Sequence, residues 1–158
     1  MKRVYTTILG LMLSALLLLG CFTINKQTKG IVEQGIQGQV FEQKGNSMPQ
    51  KGKQFSKGVG FATQLYVFEP THIQSASQIS GSLFNLPTTQ LIGTFATDSV
   101  GRFKCQLNPG RYSIFVGYEN GYYAISFNQR NELGIVQVLE GTFAPIEVII
   151  SAKASYQY

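Results

Sequence analysis

Apolar and polar residues alternate with a period of two along most of this chain, the mark of strands with one buried and one solvated face. The clearest case sets Phe103, Cys105 and Leu107 against Arg102, Lys104 and Gln106. Tyr112, Ile114, Val116 and Tyr118 form the inward phase of the next strand, and Ala144, Ile146, Val148 and Ile150 that of a closing strand within residues 142–153. Pro145 lacks a backbone donor and puts part of this last strand at an edge or a bulge. Residues 61–68, FATQLYVF, are apolar on both phases, which predicts a central strand covered on both faces. Ile36, Gly38, Val40 and Glu42 alternate with Gln37, Gln39 and Phe41, as suits a first strand at an edge. Shorter strands are predicted over residues 82–86, 89–97, 122–127 and 135–139, with polar connections at 71–81 and 128–134. No helical period follows residue 20, and glycine turns separate short strands throughout. That pattern is an all-β sandwich or barrel.

Turn chemistry sharpens the picture around residues 97–116, TDSVGRFKCQLNPGRYSIFV. Asp98 can fold its carboxylate onto following amides while Gly101 supplies a positive φ. Asn108-Pro109-Gly110-Arg111 has proline second and glycine third, the type II requirement, and predicts a reversal of the chain. Asn120-Gly121 is a strong hairpin signal, and Glu140-Gly141 marks a further turn. Residues 43–60 hold four glycines, four lysines and one proline and predict a long irregular loop. Within it GNSMP, residues 45–49, is a candidate special turn, and Asn46, Met48 and Pro49 are candidate binding residues.

The chain opens with Lys2 and Arg3 and then an apolar run from Ile8 to Leu19, too short to cross a bilayer comfortably. Its end, Leu18-Leu19-Gly20-Cys21, resembles the bacterial lipoprotein signal, in which a small residue precedes a cysteine that is acylated and begins the mature chain. The resemblance implies a signal peptide at 1–20, a tether at 21–34, and membrane attachment through acylated Cys21. Without residues 1–20, 11 basic and 8 acidic side chains remain, a balance of +3. Six of those lysines fall in residues 22–57, leaving the remainder nearly neutral. A basic approach along anionic headgroups and a solvated linker both account for them. Nucleic acid is a poor candidate and is not expected as a partner, because an exported chain with no basic stripe across its folded part lacks the electrostatic footprint.

Candidate chemistry is sparse. His72 is the only histidine, and no metal-ligand spacing accompanies it. The seven glutamates are scattered, and no phosphate loop or nucleophile elbow occurs. With Cys21 acylated, Cys105 has no partner; its inward phase makes it a buried apolar thiol in preference to a reactive one. Neither a cofactor, a metal nor a catalytic residue is expected. Eight tyrosines and eleven phenylalanines must mostly fill the core. Tyr118, Tyr122 and Tyr123 flank the Asn120-Gly121 tip, where two readings stand: an exposed ring platform for sugar or peptide, and cross-strand packing. Asn120, Tyr122 and Tyr123 are therefore candidate binding residues.

Residues 97–116 resemble the T-D-x-x-G-x-F…L-x-P-G-x-Y-x-I-x-V signature of carboxypeptidase regulatory-like domains, and Gly38-Gln39-Val40 resembles their opening G-x-V. Gly45–Pro49, Tyr66, Phe68, Tyr123-Ala124 and Ala154-Ser155-Tyr156 are similar to lipoproteins of Bacteroidetes-type bacteria. The resemblance covers about residues 35–158. It implies an antiparallel β-sandwich of about seven to eight strands, transthyretin-like or prealbumin-like and related in form to immunoglobulin domains. It further implies an accessory, non-enzymatic module of the cell envelope, on the outer membrane, contacting a protein or glycan through its loops. An accessory subunit of an envelope enzyme or transporter is the alternative, and an unrecognised hydrolase the remote one. Asp98, Gly101, Pro109 and Gly110 are expected to shape turns and not to act chemically.

Overall fold

The computed structural model of the chain describes residues 33–46 and 56–155. The signal peptide, Cys21, most of the tether, Met48, Pro49 and Tyr156 lie outside the described residues. The first six strands are β1 (Gly35–Asn46), β2 (Val59–Gly60), β3 (Gln64–Phe68), β4 (Thr71–His72), β5 (Gln78–Ser80) and β6 (Leu83–Phe84). Then come β7 (Leu91–Ala96), β8 (Arg102–Gln106), β9 (Gly110–Tyr118), β10 (Gly121–Ala124), β11 (Glu132–Leu133), β12 (Ile135–Val138) and β13 (Phe143–Ser155). These thirteen exceed the seven to eight expected because β2, β4, β6 and β11 are two-residue pairings within apparent loops. Among the described residues the helical structure is one 3-10 turn, Ile73–Ser75, and no helix is long and apolar enough to cross a membrane.

The fold is an all-β sandwich. One sheet holds β1 between β13 on one flank and both β8 and β2 on the other. The second runs β5-β6-β10-β9-β3-β7, with β12 also paired to β9. All pairings are antiparallel apart from β1 with β13, and β4 with β11 makes a small separate ribbon.

The main core lies between the sheets. Ile36 and Val40 of β1, Phe103 and Cys105 of β8, and Val148 and Ile150 of β13 meet Leu65, Val67, Ile114 and Val116 of β3 and β9. Each fully buried aliphatic side chain contributes about 1.5–3 kcal/mol relative to exposure. A second, smaller core covers the other face of the second sheet, where Phe68, Phe84, Phe115, Ala124 and Leu133 pack under the ribbon and the 3-10 turn. Two cores explain why residues 61–68 are apolar on both phases: Leu65 and Val67 enter one, Phe68 the other.

Three expectations are corrected. β1 is central and not an edge, because the distant β13 and β8 both seek its backbone. It also continues past Glu42 to Asn46, through a bulge between Glu42 and Lys44, so residues 43–60 are not wholly irregular. The third concerns Pro109-Gly110. β8 and β9 do not pair; the chain crosses there from one sheet to the other, and Gly110 does not enter the left-handed region a type II turn requires. Glycine at 110 makes room for the Tyr112 ring instead, since a Cβ would sit 3.2 Å from its hydroxyl and push it by a few tenths of an ångström. That hydroxyl donates back to the Asn108 carbonyl at 2.9 Å and pins the crossover.

Candidate functional site

The residues singled out as turn formers divide in two. Asp98 behaves as its chemistry dictates: Oδ1 accepts from the Val100 amide at 3.0 Å and the Arg102 amide at 2.7 Å, while Gly101 takes a φ of 82°. The Asp98 carboxylate is thus committed to backbone. Pro109 and Gly110 shape the crossover described above.

The hairpin tip holds a different arrangement from the one expected. Tyr118 pairs with Gly121, so Glu119 and Asn120 form the turn, and the positive φ of 50° falls on Glu119. Gly121 is already in β10, where a Cβ would meet Leu83 at 2.9 Å. Asn120 is exposed at the tip. Tyr118 and Tyr123 are buried, with rings 6.5 Å apart edge to face. Tyr122 is half-buried against Tyr66, edge to face at 4.9 Å. No platform of three exposed rings forms, because β10 lies within its sheet and its alternate side chains are taken by the two cores. Of the other candidate binding residues, Asn46 ends β1 opposite Ser155.

Tyr123 has a role that residue spacing did not reveal. Its hydroxyl lies across the sandwich at 3.3 Å from the Ile149 carbonyl and 3.5 Å from the Ser151 amide. These groups belong to the outer side of β13, the last strand of its sheet.

The corresponding strand of the second sheet is β7, and here a groove opens. Ile92 and Phe95 of β7, Leu107 and Tyr112 form its apolar walls, and Gln106 and Asn108 stand at its rim; its volume is about 330 Å³. Gln34 closes one end, held by its carbonyl to the Leu107 amide at 3.2 Å and by Oε1 to the Gly141 amide at 3.0 Å. Every lining residue among the described residues is uncharged. Leu91 and Ile92 are 46% and 43% exposed beside it. Apolar side chains and the polar groups of Gln34, Gln106 and Asn108 share the exposed lining, with the polar part somewhat the larger, and the volume is at the small end of the range for binding clefts. The groove joins residues from four parts of the chain, so periodicity could not expose it. The one available signal was Leu91–Ala96 itself, LIGTFA, a strand with neither charge nor proline.

Two further features concern charge. Glu132 is buried, its Oε2 accepting from Asn128 Nδ2 at 2.8 Å and Arg111 Nη2 at 2.7 Å. Asn128 first, and then the Arg111 guanidinium, hold its carboxyl below the usual range, and His72 opposite adds to the effect. The depressed pKa stabilises the fold above the ordinary carboxylate range, and that contribution is lost as pH falls through the folded value. His72 lies in β4, paired to Glu132, and not in a loop. Cys105 is buried, and burial pushes its thiol up to about 11. Among the described residues no group of His, Cys, Asp and Glu side chains is placed to hold a metal ion.

No family model, no curated protein and no solved structure matches the chain.

Proposed function

We propose that the chain is a lipid-anchored, non-enzymatic binding module of the bacterial cell envelope, carried on the outer membrane by acylated Cys21. The β-sandwich is its scaffold, of the carboxypeptidase regulatory-like, prealbumin-like kind that the residues from Thr97 to Val116 resemble. The observation that carries the binding role is the uncharged groove walled by Ile92, Phe95, Leu107 and Tyr112. The crossover residues Gln106, Leu107 and Asn108 line it, so contact is made at the seam between the sheets and not at the Glu119–Gly121 hairpin. Acylation of Cys21 would supply the address, since two or more chains buried at about 0.8 kcal/mol per CH2 retain a domain with no spanning helix among its described residues.

Two experiments test this. Cys21→Ala should move the protein from the membrane fraction to the soluble fraction; a mutant that stays membrane-bound removes the anchor. A photo-crosslinking amino acid at Asn108, on the groove rim, should capture an envelope protein or glycan in intact cells, whereas the same group at Asn120 should not. Equal capture at both positions, or none at either, overturns the groove as the binding site. Capture of one stoichiometric enzyme or transporter at Asn108 would make the module an accessory subunit.

A further inference from the structure

The free side of β7 and the groove beside it are parts of one surface. Thr97 donates its amide to the Thr63 carbonyl, and β3 pairs with β7 in one antiparallel register from Gln64↔Ala96 to Val67↔Gly93. By the alternation of antiparallel bonding, Phe95 and Gly93 exchange hydrogen bonds with β3, while Thr94 and Ala96 direct their amides and carbonyls away from the sheet. β7 itself carries neither charge nor proline, and among the described residues no side chain caps these outward groups.

From this edge and the groove together, we infer that β7 accepts an extended, uncharged peptide segment of another protein as an added strand, with one apolar side chain of that segment seated in the groove. The inference rests on the binding-module reading above and names the class of its partner. Main-chain bonds to Thr94 and Ala96 supply affinity, and the groove supplies selection, as in other strand-addition sites. An added strand points its alternate side chains to the same face as Gly93 and Phe95. Phe95 walls the groove, so one of those side chains falls over it.

The chemistry of the occupant follows from the lining. A charged anchor would lose hydration against Ile92, Phe95, Leu107 and Tyr112, and no described lining residue carries a counter-charge to replace it. An apolar anchor avoids that cost and can pack on these four side chains, while the amides of Gln106 and Asn108 can bond to the flanking peptide backbone. A second copy of this chain is a poorer occupant. The regular part of β7, Gly93–Ala96, ends at the bulge that carries Ile92, and a strand that short spans roughly 13 Å. Self-pairing over that length falls well below the roughly 800 Å² per partner of a stable interface. It would also set each bulge against the other copy.

The test uses the full chain in detergent micelles and a capped peptide of alternating threonine and valine with a central leucine. On peptide addition, hydrogen exchange at the Thr94 and Ala96 amides should slow at least about tenfold, with Gly93 and Phe95 unchanged because β3 already holds them. The same peptide with aspartate in place of leucine should give no protection. Thr94→Lys, which charges the edge, and Asn108→Trp, which fills the groove from the crossover and leaves the outward amides of Thr94 and Ala96 unaltered, should each abolish protection at unchanged circular dichroism. Absent protection with the leucine peptide overturns the inference, as does equal protection by the aspartate peptide. Protection that arises without peptide, with doubled mass by light scattering, overturns it in favour of a second copy. If the Asn108 crosslinks persist while β7 gains no protection, strand addition falls and the binding module stands; loss of both removes both.

Discussion

β13 and β7 each end a sheet, and their outer sides have been treated in opposite ways. On β13 the residues whose backbone faces away from β1 are Pro145, Glu147, Ile149 and Ser151, since the intervening Ile146 carbonyl points at Gly38 of β1. Pro145 has no amide to offer. Glu147 places a charge there, paired to Lys57 at 2.6 Å. The Ile149 carbonyl and Ser151 amide converge on the Tyr123 hydroxyl. These are the usual means by which a sheet avoids pairing with a stranger. On β7 none is present among the described residues, and the Ile92 bulge limits how far a new strand could run. One edge is sealed with proline, charge and tyrosine; the other is left open among the described residues.

The largest effect that sharpens this contrast comes from proline on β7. Phe95→Pro removes a bond to β3 and the ring that packs on the main core, so it should cost roughly 3–4 kcal/mol in urea denaturation. Thr94→Pro, one residue away, should cost far less because its amide faces out. Equal losses would show the register to be wrong. Next comes Gly38→Val. Its side chain would run into the Ile146 carbonyl and the Phe103 ring, forcing β13 off β1 at about 3 kcal/mol. An unchanged urea midpoint would mean that the β1–β13 pairing does not hold the sheet.

Tyr123→Phe keeps the ring in the core and deletes only the cap on β13. It should lower stability by about 1 kcal/mol and speed exchange of the Ser151 amide; unaltered exchange would deny the hydroxyl its sealing role. The smallest effect is expected at the open edge. Thr94→Lys should change stability by no more than about 0.5 kcal/mol and alter only what β7 can bind.

Much of the fold was legible because the signals were local. Residues 102–107 alternate strictly, and the structure buries Phe103, Cys105 and Leu107 while exposing the residues between them. Asp98 and Gly101 carry their turn in their own side chain and φ. What failed depended on distant partners. β1 was read as an edge because its glutamines suit one; only the arrival of Phe143–Ser155 along its flank makes it central. Pro109-Gly110 has reversal chemistry, yet a chain changing sheets bends through the same residues. Tyr123 could face solvent or core by spacing alone, and the decision belongs to β13 across the sandwich. Within the site, single strands were visible and the groove they enclose was not.

The parallel pairing of β1 with β13 also bears on how the domain comes into being. Gly35 is held opposite Phe143, and Val40 opposite Val148, so the strand that opens the sandwich waits for the strand that closes it. Contacts between residues so far apart in the chain raise contact order and slow folding, because loop-closure entropy must be overcome before the contacts form. During synthesis the first sheet stays incomplete until the last strand has been made. A nascent chain therefore cannot bury the inner face of β1 against its full set of partners until synthesis of the domain is nearly over.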